Sequence, residues 1–371
     1  MVRSDNCFAN FSLTDYVERL FFMERALISG ATGLVGCELA RQLLTDGTHV
    51  TALIRGNTDE EARNRLMAEL KDQFILDGYE IPSDINNLLQ VIATNISSSE
   101  SVLSVAKKIS SPVDTFWHSA ACVNFVDAIQ CEEVNVNGSL NMINLAAIMK
   151  PSRYNHFSTS FIAGGYHGTI MENEMPPRET LNPYEDTKYQ SELNLRAQSE
   201  VPFTILRPSI IVGNRLDGKI RSFKNFYLII KYFAKMSKKK KTMPRFPNIE
   251  EMNINLVPLD FVVDASLAIG KLPSTGKTYN IVNDSPPNIG TVVKAIEVVT
   301  GVKVMEANTG NNDSCVEAGL VEARFKEFMP YFFGSPGYEM TSMKEALGTL
   351  ENSTLPMESL EKIISFFIEN E

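Results

Sequence analysis

Tyr184 and Lys188 stand four residues apart in Tyr184-Glu185-Asp186-Thr187-Lys188. On a helix this spacing puts a phenol and an ammonium on one face. An ammonium beside a phenol stabilises the phenolate. Moving the phenol from about 10 to about 7 takes roughly 4 kcal/mol of differential stabilisation. Such a tyrosine exchanges a proton with a substrate oxygen while hydride moves to or from carbon. Upstream, Phe157-Ser158-Thr159-Ser160 lies where a strand-like run beginning at Arg153 ends. A hydroxyl from this cluster can bond the same substrate oxygen. A Tyr/Lys pair at this spacing is also common on surface helices, and Ser/Thr clusters also make turns and caps. The pair therefore gains meaning only from the elements around it.

The most telling of these elements is Ala26-Leu27-Ile28-Ser29-Gly30-Ala31-Thr32-Gly33-Leu34-Val35-Gly36. An apolar run breaks into three glycines spaced three apart, and a helical pattern follows. Gly30 suits the tight turn, Gly33 a close backbone approach to a pyrophosphate, and Gly36 the packing of helix on strand. Unpaired N–H groups in the first helical turn then face the anion. Arg55 ends the next strand, Val50-Thr51-Ala52-Leu53-Ile54. A carboxylate there would hold the ribose hydroxyls, whereas a guanidinium fits a 2′-phosphate, so NADPH is expected over NADH.

Strand-like runs at 25–29, 49–55, 87–94, 115–119, 153–158, 203–207 and 278–282 alternate with helical patterns at 36–45, 59–77, 99–109, 132–149 and 182–199. Such alternation predicts an α/β fold, a doubly wound parallel sheet of the Rossmann type. After Pro208 the pattern changes. Residues 223–236 form an amphipathic helical stripe, Lys238-Lys239-Lys240-Lys241 follows, and 302–306 is strand-like. A chain of 371 residues exceeds one core of roughly 250–300 residues. The expected division is a leader at 1–24, a dinucleotide-binding domain at 25–207 plus 255–283, and a smaller, mostly helical substrate lobe at 208–254 plus 284–371. The Phe-rich part of the leader, Phe8 to Phe22, suits a short helix.

Composition narrows the classes. A net charge of −10 argues against a nucleic-acid binder. Cys7, Cys37, Cys122, Cys131 and Cys315 lack metal-ligand spacing and read as reduced thiols of a cytoplasmic protein; no metal is expected. No apolar run reaches the roughly 20 residues of a membrane span. His118 and His156 lie near strand ends with no nucleophile or metal partner, and read as structural. The Lys238–Lys241 run is either a solvated loop or a docking site for an acidic carrier-protein helix or coenzyme A phosphates.

Taken in order, the glycine triplet, His118-Ser119-Ala120-Ala121, Asn135-Val136-Asn137-Gly138, Ser158-Thr159-Ser160, Tyr184/Lys188, Arg207-Pro208-Ser209 and Val257-Pro258-Leu259-Asp260 resemble the extended short-chain dehydrogenase/reductase superfamily over about residues 25–285. The resemblance implies a nicotinamide cofactor and a catalytic Thr159, Tyr184 and Lys188, with Lys188 also binding the nicotinamide ribose. The cofactor set it implies is Gly30, Thr32, Gly33, Leu34, Val35 and Gly36 at the phosphates, Ala120 and Ala121 after the fourth strand, and Pro208 and Ser209 after the sixth. The long segment Ile54-Arg55-Gly56 through Ala62-Arg63-Asn64-Arg65-Leu66 to Tyr79, with Val123-Asn124-Phe125 and Asn255 to Val262, is similar to the thioester-reductase branch. That branch includes reductase domains of peptide and polyketide synthetases, carboxylic acid reductases and fatty acyl-CoA reductases. By that resemblance Arg65 is a second 2′-phosphate ligand. At the third strand's end Thr94-Asn95-Ile96 departs from the family's Gly-Asp, although the Asn95 amide can still meet adenine beside Ile96.

The expected activity is NADPH-dependent reduction of a carrier- or CoA-bound acyl thioester to the aldehyde, with a second hydride giving the alcohol. The rivals are a reductase of free ketones or aldehydes, a sugar-nucleotide epimerase or dehydratase, and a dinucleotide sensor without turnover.

Overall fold

The computed structural model describes residues 24–238, 242–245, 250–306, 331, 336–348 and 353–371. All of the expected leader but residue 24, including the helix expected at Phe8–Phe22, and Lys239–Lys241 lie outside the described residues. The first half of the chain runs β1 (Arg25–Ser29), α1 (Leu34–Thr45), β2 (His49–Ile54), α2 (Asp59–Asp77), β3 (Leu89–Ala93), α3 (Ser99–Lys108), β4 (Thr115–His118), α4 (Gly138–Met149) and β5 (Arg153–Phe157). The second half runs β6 (Thr169–Ile170), α5 (Pro183–Gln198), β7 (Phe203–Pro208), β8 (Ile210–Val212), α6 (Phe226–Lys238), β9 (Thr242–Arg245), β10 (Leu256–Pro258), α7 (Leu259–Gly270) and β11 (Thr278–Ile281). It ends with α8 (Ile289–Thr300), β12 (Lys303–Glu306), β13 (Gly337–Tyr338), α9 (Thr341–Leu347) and α10 (Met357–Asn370).

Seven strands form one parallel sheet in the order β11-β7-β5-β4-β1-β2-β3. The seven runs read from the sequence supply all seven. Ala26, Leu27 and Ile28 are all buried, as a strand covered on both faces requires. Ile28 pairs with Ala52 on one side and Trp117 on the other, so β1 lies between β2 and β4. The order reverses at β1/β4. The crevice beyond the carboxyl ends of those strands is where doubly wound sheets bind ligands.

Three element expectations need correction. The third strand begins at Leu89 rather than Asn87. Residues Ile85–Leu88 form a helical turn because the N–H groups of Asn87 and Leu88 donate to the Asp84 carbonyl. Residues Glu132–Asn137 are π-wound rather than α-helical, with the Asn135 amide bridging the Cys122 backbone and the Thr187 hydroxyl. The stripe at 223–236 becomes helix only from Phe226. Asn225 takes φ 49°, a left-handed conformation that stops the helix from extending back to Phe223.

One apolar cluster runs from Ala26 and Ile28 through Leu206 and Leu256 to Phe226, Ile230, Ile363 and Phe367. Helices α6, α8 and α10 pack on one another. The Phe223 ring meets Phe367 edge-on at 4.9 Å, which fixes the segment entering α6.

Candidate active site

The turn after β1 is built as its glycines require. Gly30 has φ +85°, and its carbonyl accepts from the Gly33 N–H at 2.8 Å. A Cβ on Gly30 would lie 2.5 Å from the Ala120 nitrogen, and one on Gly36 2.3 Å from the Gly30 oxygen. Helix and turn could not approach this closely with side chains there. Gly33 is the N-cap of α1, with no side chain to cap the following amides, and a Cβ there would meet only the Gly30 oxygen, at 3.1 Å. The loop thus offers open space and free N–H groups, which fits a diphosphate.

A cavity of about 290 Å³ opens in front of this loop. Gly33, Leu34, Val35, Gly36, Ala121, Thr159, Tyr184, Lys188, Pro208 and Ser209 all line it. Gly30, Thr32, Arg55, Arg65, Asn95, Ile96 and Ala120 do not. Gly30 and Ala120 lie against each other beneath the loop. Arg65 Nη1 donates to the Arg55 carbonyl at 3.2 Å, so both arginines stand at the end of β2. Thr58 caps α2 by accepting from the Glu61 N–H, which sets the helix phase that carries Arg65. Asn95 spends its side-chain oxygen on the Ser97 N–H at 3.2 Å, leaving its amide NH₂ the group able to meet a base. Ile96 packs on Gly138, its carbonyl held by Asn141.

Thr159 follows β5 and caps a helical turn, its hydroxyl oxygen accepting from the Phe161 N–H. Asn182 caps α5 and Pro183 opens it, which places Tyr184 at the second helical position and Lys188 one turn deeper. The Thr159 and Tyr184 side chains both line the cavity, near enough for the Thr159 hydroxyl to favour the Tyr184 phenolate. Lys188 is 1% exposed and donates to the Phe157 carbonyl at 2.6 Å. Burial lowers its ammonium to about 8, opposed by the Glu192 carboxylate. Glu192 is itself held bidentately by Arg207, at 2.9 and 2.7 Å, with both side chains fully buried.

The expected effect of Lys188 on Tyr184 is corrected here. Burial pushes the Tyr184 phenol up to about 12; the hydrogen bond from Thr159 opposes this and Glu185 adds to it. The Lys188 ammonium donates to the Phe157 carbonyl and is not among the groups that shift the phenol. His118 and His156 are fully buried in a polar chain behind Lys188. Ser29 and Ser139 flank His118 at 2.6 and 2.9 Å, and Ser191 meets both Ser139 and His156. Burial lowers His118 to about 3 and His156 well below its ordinary value, so both are neutral.

Three rings face this centre. Phe125 lies 6.1 Å from the Tyr184 ring and 5.7 Å from Tyr331, and Phe161 meets Tyr331 edge-on at 4.9 Å. The Tyr331 hydroxyl donates to Glu185 and accepts from the Asn182 amide. Tyr331 has no spacing signal that links it to the site, because the contact joins segments far apart in the chain. Among the described residues, no three His, Cys, Asp or Glu side chains gather as a metal site, and no helix is long and apolar enough to cross a membrane.

Residues 28–266 match a family of NAD-binding proteins described as Male sterility protein. The chain is 27% identical over 289 residues to the non-canonical nonribosomal peptide synthetase cpsA of Aspergillus campestris, covering 72% of this chain and 27% of that protein. It is 24% identical over 291 residues to a carboxylic acid reductase of Segniliparus rugosus, covering 71% of this chain and 24% of that protein. The chain thus spans about a quarter of the length of these relatives. Its fold is similar to that of the terminal R domain from the myxalamid PKS-NRPS pathway, with TM-score 0.76, 19% identity, and coverage of 94% of this chain and 91% of that one. With the family match covering well over half of its length, the chain belongs to the Male sterility protein family, the thioester-reductase-like branch of the extended short-chain dehydrogenase/reductases.

Proposed function

We propose that this protein is an NADPH-dependent reductase that converts an acyl thioester, bound to coenzyme A or a carrier protein, to the aldehyde. One observation carries the reading. Thr159, Tyr184 and the buried Lys188 line one cavity together with the glycine loop Gly33–Gly36. The relationship to a carboxylic acid reductase supports the reaction class. Arg55 and Arg65, joined at the end of β2, support the choice of NADPH.

The dinucleotide, when bound along Gly33–Gly36, supplies hydride to the carbonyl carbon. Thr159 and Tyr184 hold the carbonyl oxygen and stabilise the charge that develops there. The protonated phenol gives its proton to that oxygen. The adduct then releases thiol and aldehyde; thioester, NADPH and one proton are consumed. Lys188 would hold the nicotinamide ribose. Phe125, Phe161 and Tyr331 shield the centre from water. Ser222, Lys224, Asn225, Phe226, Tyr227 and Tyr331 form the acyl side of the cavity, and the basic run beginning at Lys238 receives an acidic carrier or the CoA phosphates. Reduction of a free aldehyde at the same residues would carry the product on to the alcohol.

The test is NADPH oxidation with acyl-CoA, acyl-carrier and free aldehyde substrates, with products identified. Tyr184→Phe lowers turnover by about 10²-fold or more while NADPH affinity stays near wild type. Full activity in that variant, or turnover of nucleotide sugars alone, defeats the proposal.

A further inference from the structure

We infer that Arg221 is a positioning residue for dinucleotide binding, supplied to the phosphate loop by the segment that also walls the acyl cavity. Arg221 lies nearly two hundred residues from the loop in sequence, yet its Nη2 donates to the carbonyls of Thr32 and Gly33 at 3.1 and 3.2 Å. Its Nη1 pairs with Glu69 of α2. The side chain is 13% exposed. Its Nε is buried without a hydrogen-bond partner, so the side chain is held by its two Nη groups alone.

Peptide geometry shows what these contacts accomplish. In a trans peptide the C=O and the following N–H point in opposite directions. The Gly33 carbonyl is held from one side by Arg221 and by the Cys37 N–H at 3.0 Å. The N–H of Leu34, in the same peptide, is thereby turned the other way, and Leu34 lines the cavity. The Thr32 carbonyl is fixed likewise, while the Gly33 N–H of that peptide closes the turn on Gly30. Gly33 has no side chain to do this capping itself, so the guanidinium sets the aim of amides that the N-cap leaves free.

Two neighbours give the arrangement its purpose. Glu69 stands four residues beyond Arg65 on α2, so one helix face presents Arg65 to the end of β2 and Glu69 to Arg221. The residues after Arg221 (Ser222, Lys224, Asn225) line the cavity directly. Asn225 is held at φ 49°, a left-handed conformation that asparagine adopts more readily than most side chains. Arg221 therefore ties the phosphate loop to the wall of the acyl site. Because its contacts are to the loop and not to a 2′-phosphate, it acts equally on NADPH and NADH.

Binding of each dinucleotide to the full chain, followed by cofactor fluorescence and by the shift in melting temperature, tests this without any acyl substrate. Arg221→Met raises Kd for NADPH and NADH by the same factor, about 10- to 100-fold, the range set by hydrogen bonds to charged groups. Its kcat at saturating cofactor stays within about threefold of wild type, the mark of lost ground-state binding. Arg221→Lys recovers part of the affinity. Glu69→Gln, which leaves the guanidinium in place but unpinned, raises both Kd values by a smaller common factor. The inference is overturned if folded Arg221→Met binds both dinucleotides like wild type. It is also overturned if the loss is confined to NADPH, or if kcat falls with Kd unchanged. Should Arg221→Met fail to fold, an unchanged Kd in Glu69→Gln overturns it. A wild-type chain that binds neither dinucleotide refutes the cofactor reading itself, a result distinct from all of these.

Discussion

Replacing Arg55 by Ala removes one guanidinium from the end of β2, and its consequence for cofactor choice follows from simple electrostatics. Arg55 and Arg65 are both exposed, so their charges act through solvent. In water two unit charges 4 Å apart attract by about 1 kcal/mol, and a 2′-phosphate near its dianionic state doubles that. A hydrogen bond to a charged group is worth roughly 1.5–3 kcal/mol, and exposure favours the lower end. Both routes give about 2 kcal/mol, or roughly a 30-fold rise in KM for NADPH. NADH has no charge at that position, so its KM stays within about twofold. Arg65→Ala costs a similar amount and also releases the Arg55 carbonyl, so the double variant departs from additivity. Salt offers a second check. Going from 0.01 to 0.15 M shortens the screening length from about 30 to 8 Å, so the wild-type preference for NADPH shrinks while that of the double variant does not. The assay is steady-state kinetics with each cofactor and one acyl-CoA at two ionic strengths. Equal losses for the two cofactors, or a wild type that prefers NADH, would refute the reasoning.

Other consequences can be measured on the same preparations. Because burial lowers Lys188 to about 8, its charge is lost from that pH upward, and kcat/KM for reduction declines with a midpoint near 8. The phenol at about 12 contributes nothing there, and Lys188→Arg flattens the limb. The same shift has the opposite sign for stability. The unfolded lysine keeps its proton up to 10.5 and the folded one loses it at about 8, so stability rises between these pH values by on the order of 3 kcal/mol. A melting temperature that falls across this window in wild type, relative to Lys188→Met, counts against the assignment. Gly36→Ala forces a Cβ to within 2.3 Å of the Gly30 oxygen and 2.6 Å of the Ser119 hydroxyl. It should cost about 1–3 kcal/mol in urea unfolding and abolish tight NADPH binding. Gly165→Ala, with its nearest neighbour at 3.5 Å, serves as the neutral comparison. Unchanged binding in Gly36→Ala would remove the close approach of helix and turn from the account.

The order of the elements was legible in the sequence because local patterns carry it. Apolar runs too short for helices gave the seven strands, and the glycine spacing marked a turn after β1 that no side chain permits. Tyr184 and Lys188 were readable as a pair because helical geometry links residues four apart. The charge state of that pair was not. Spacing shows that a phenol and an ammonium share a face, but burial disfavours the Tyr184 phenolate and the ammonium donates to the Phe157 carbonyl. The breaks at Asn87, Glu132 and Phe223 escaped for a related reason. Each rests on a particular hydrogen bond or backbone angle that periodicity does not encode.

What the sequence determined by itself is the doubly wound frame and which residues lie near its switch point. Those residues lie on consecutive elements whose pairing is forced by their own patterns. What only the tertiary structure decided is which distant segments close the site. Arg221 reaches the glycine loop, and Tyr331 reaches Glu185 and the Phe125 and Phe161 rings, from far along the chain. No period or spacing relates such residues. Their meeting depends on how the helices after Pro208 pack against the sheet, and that packing is a property of the whole core.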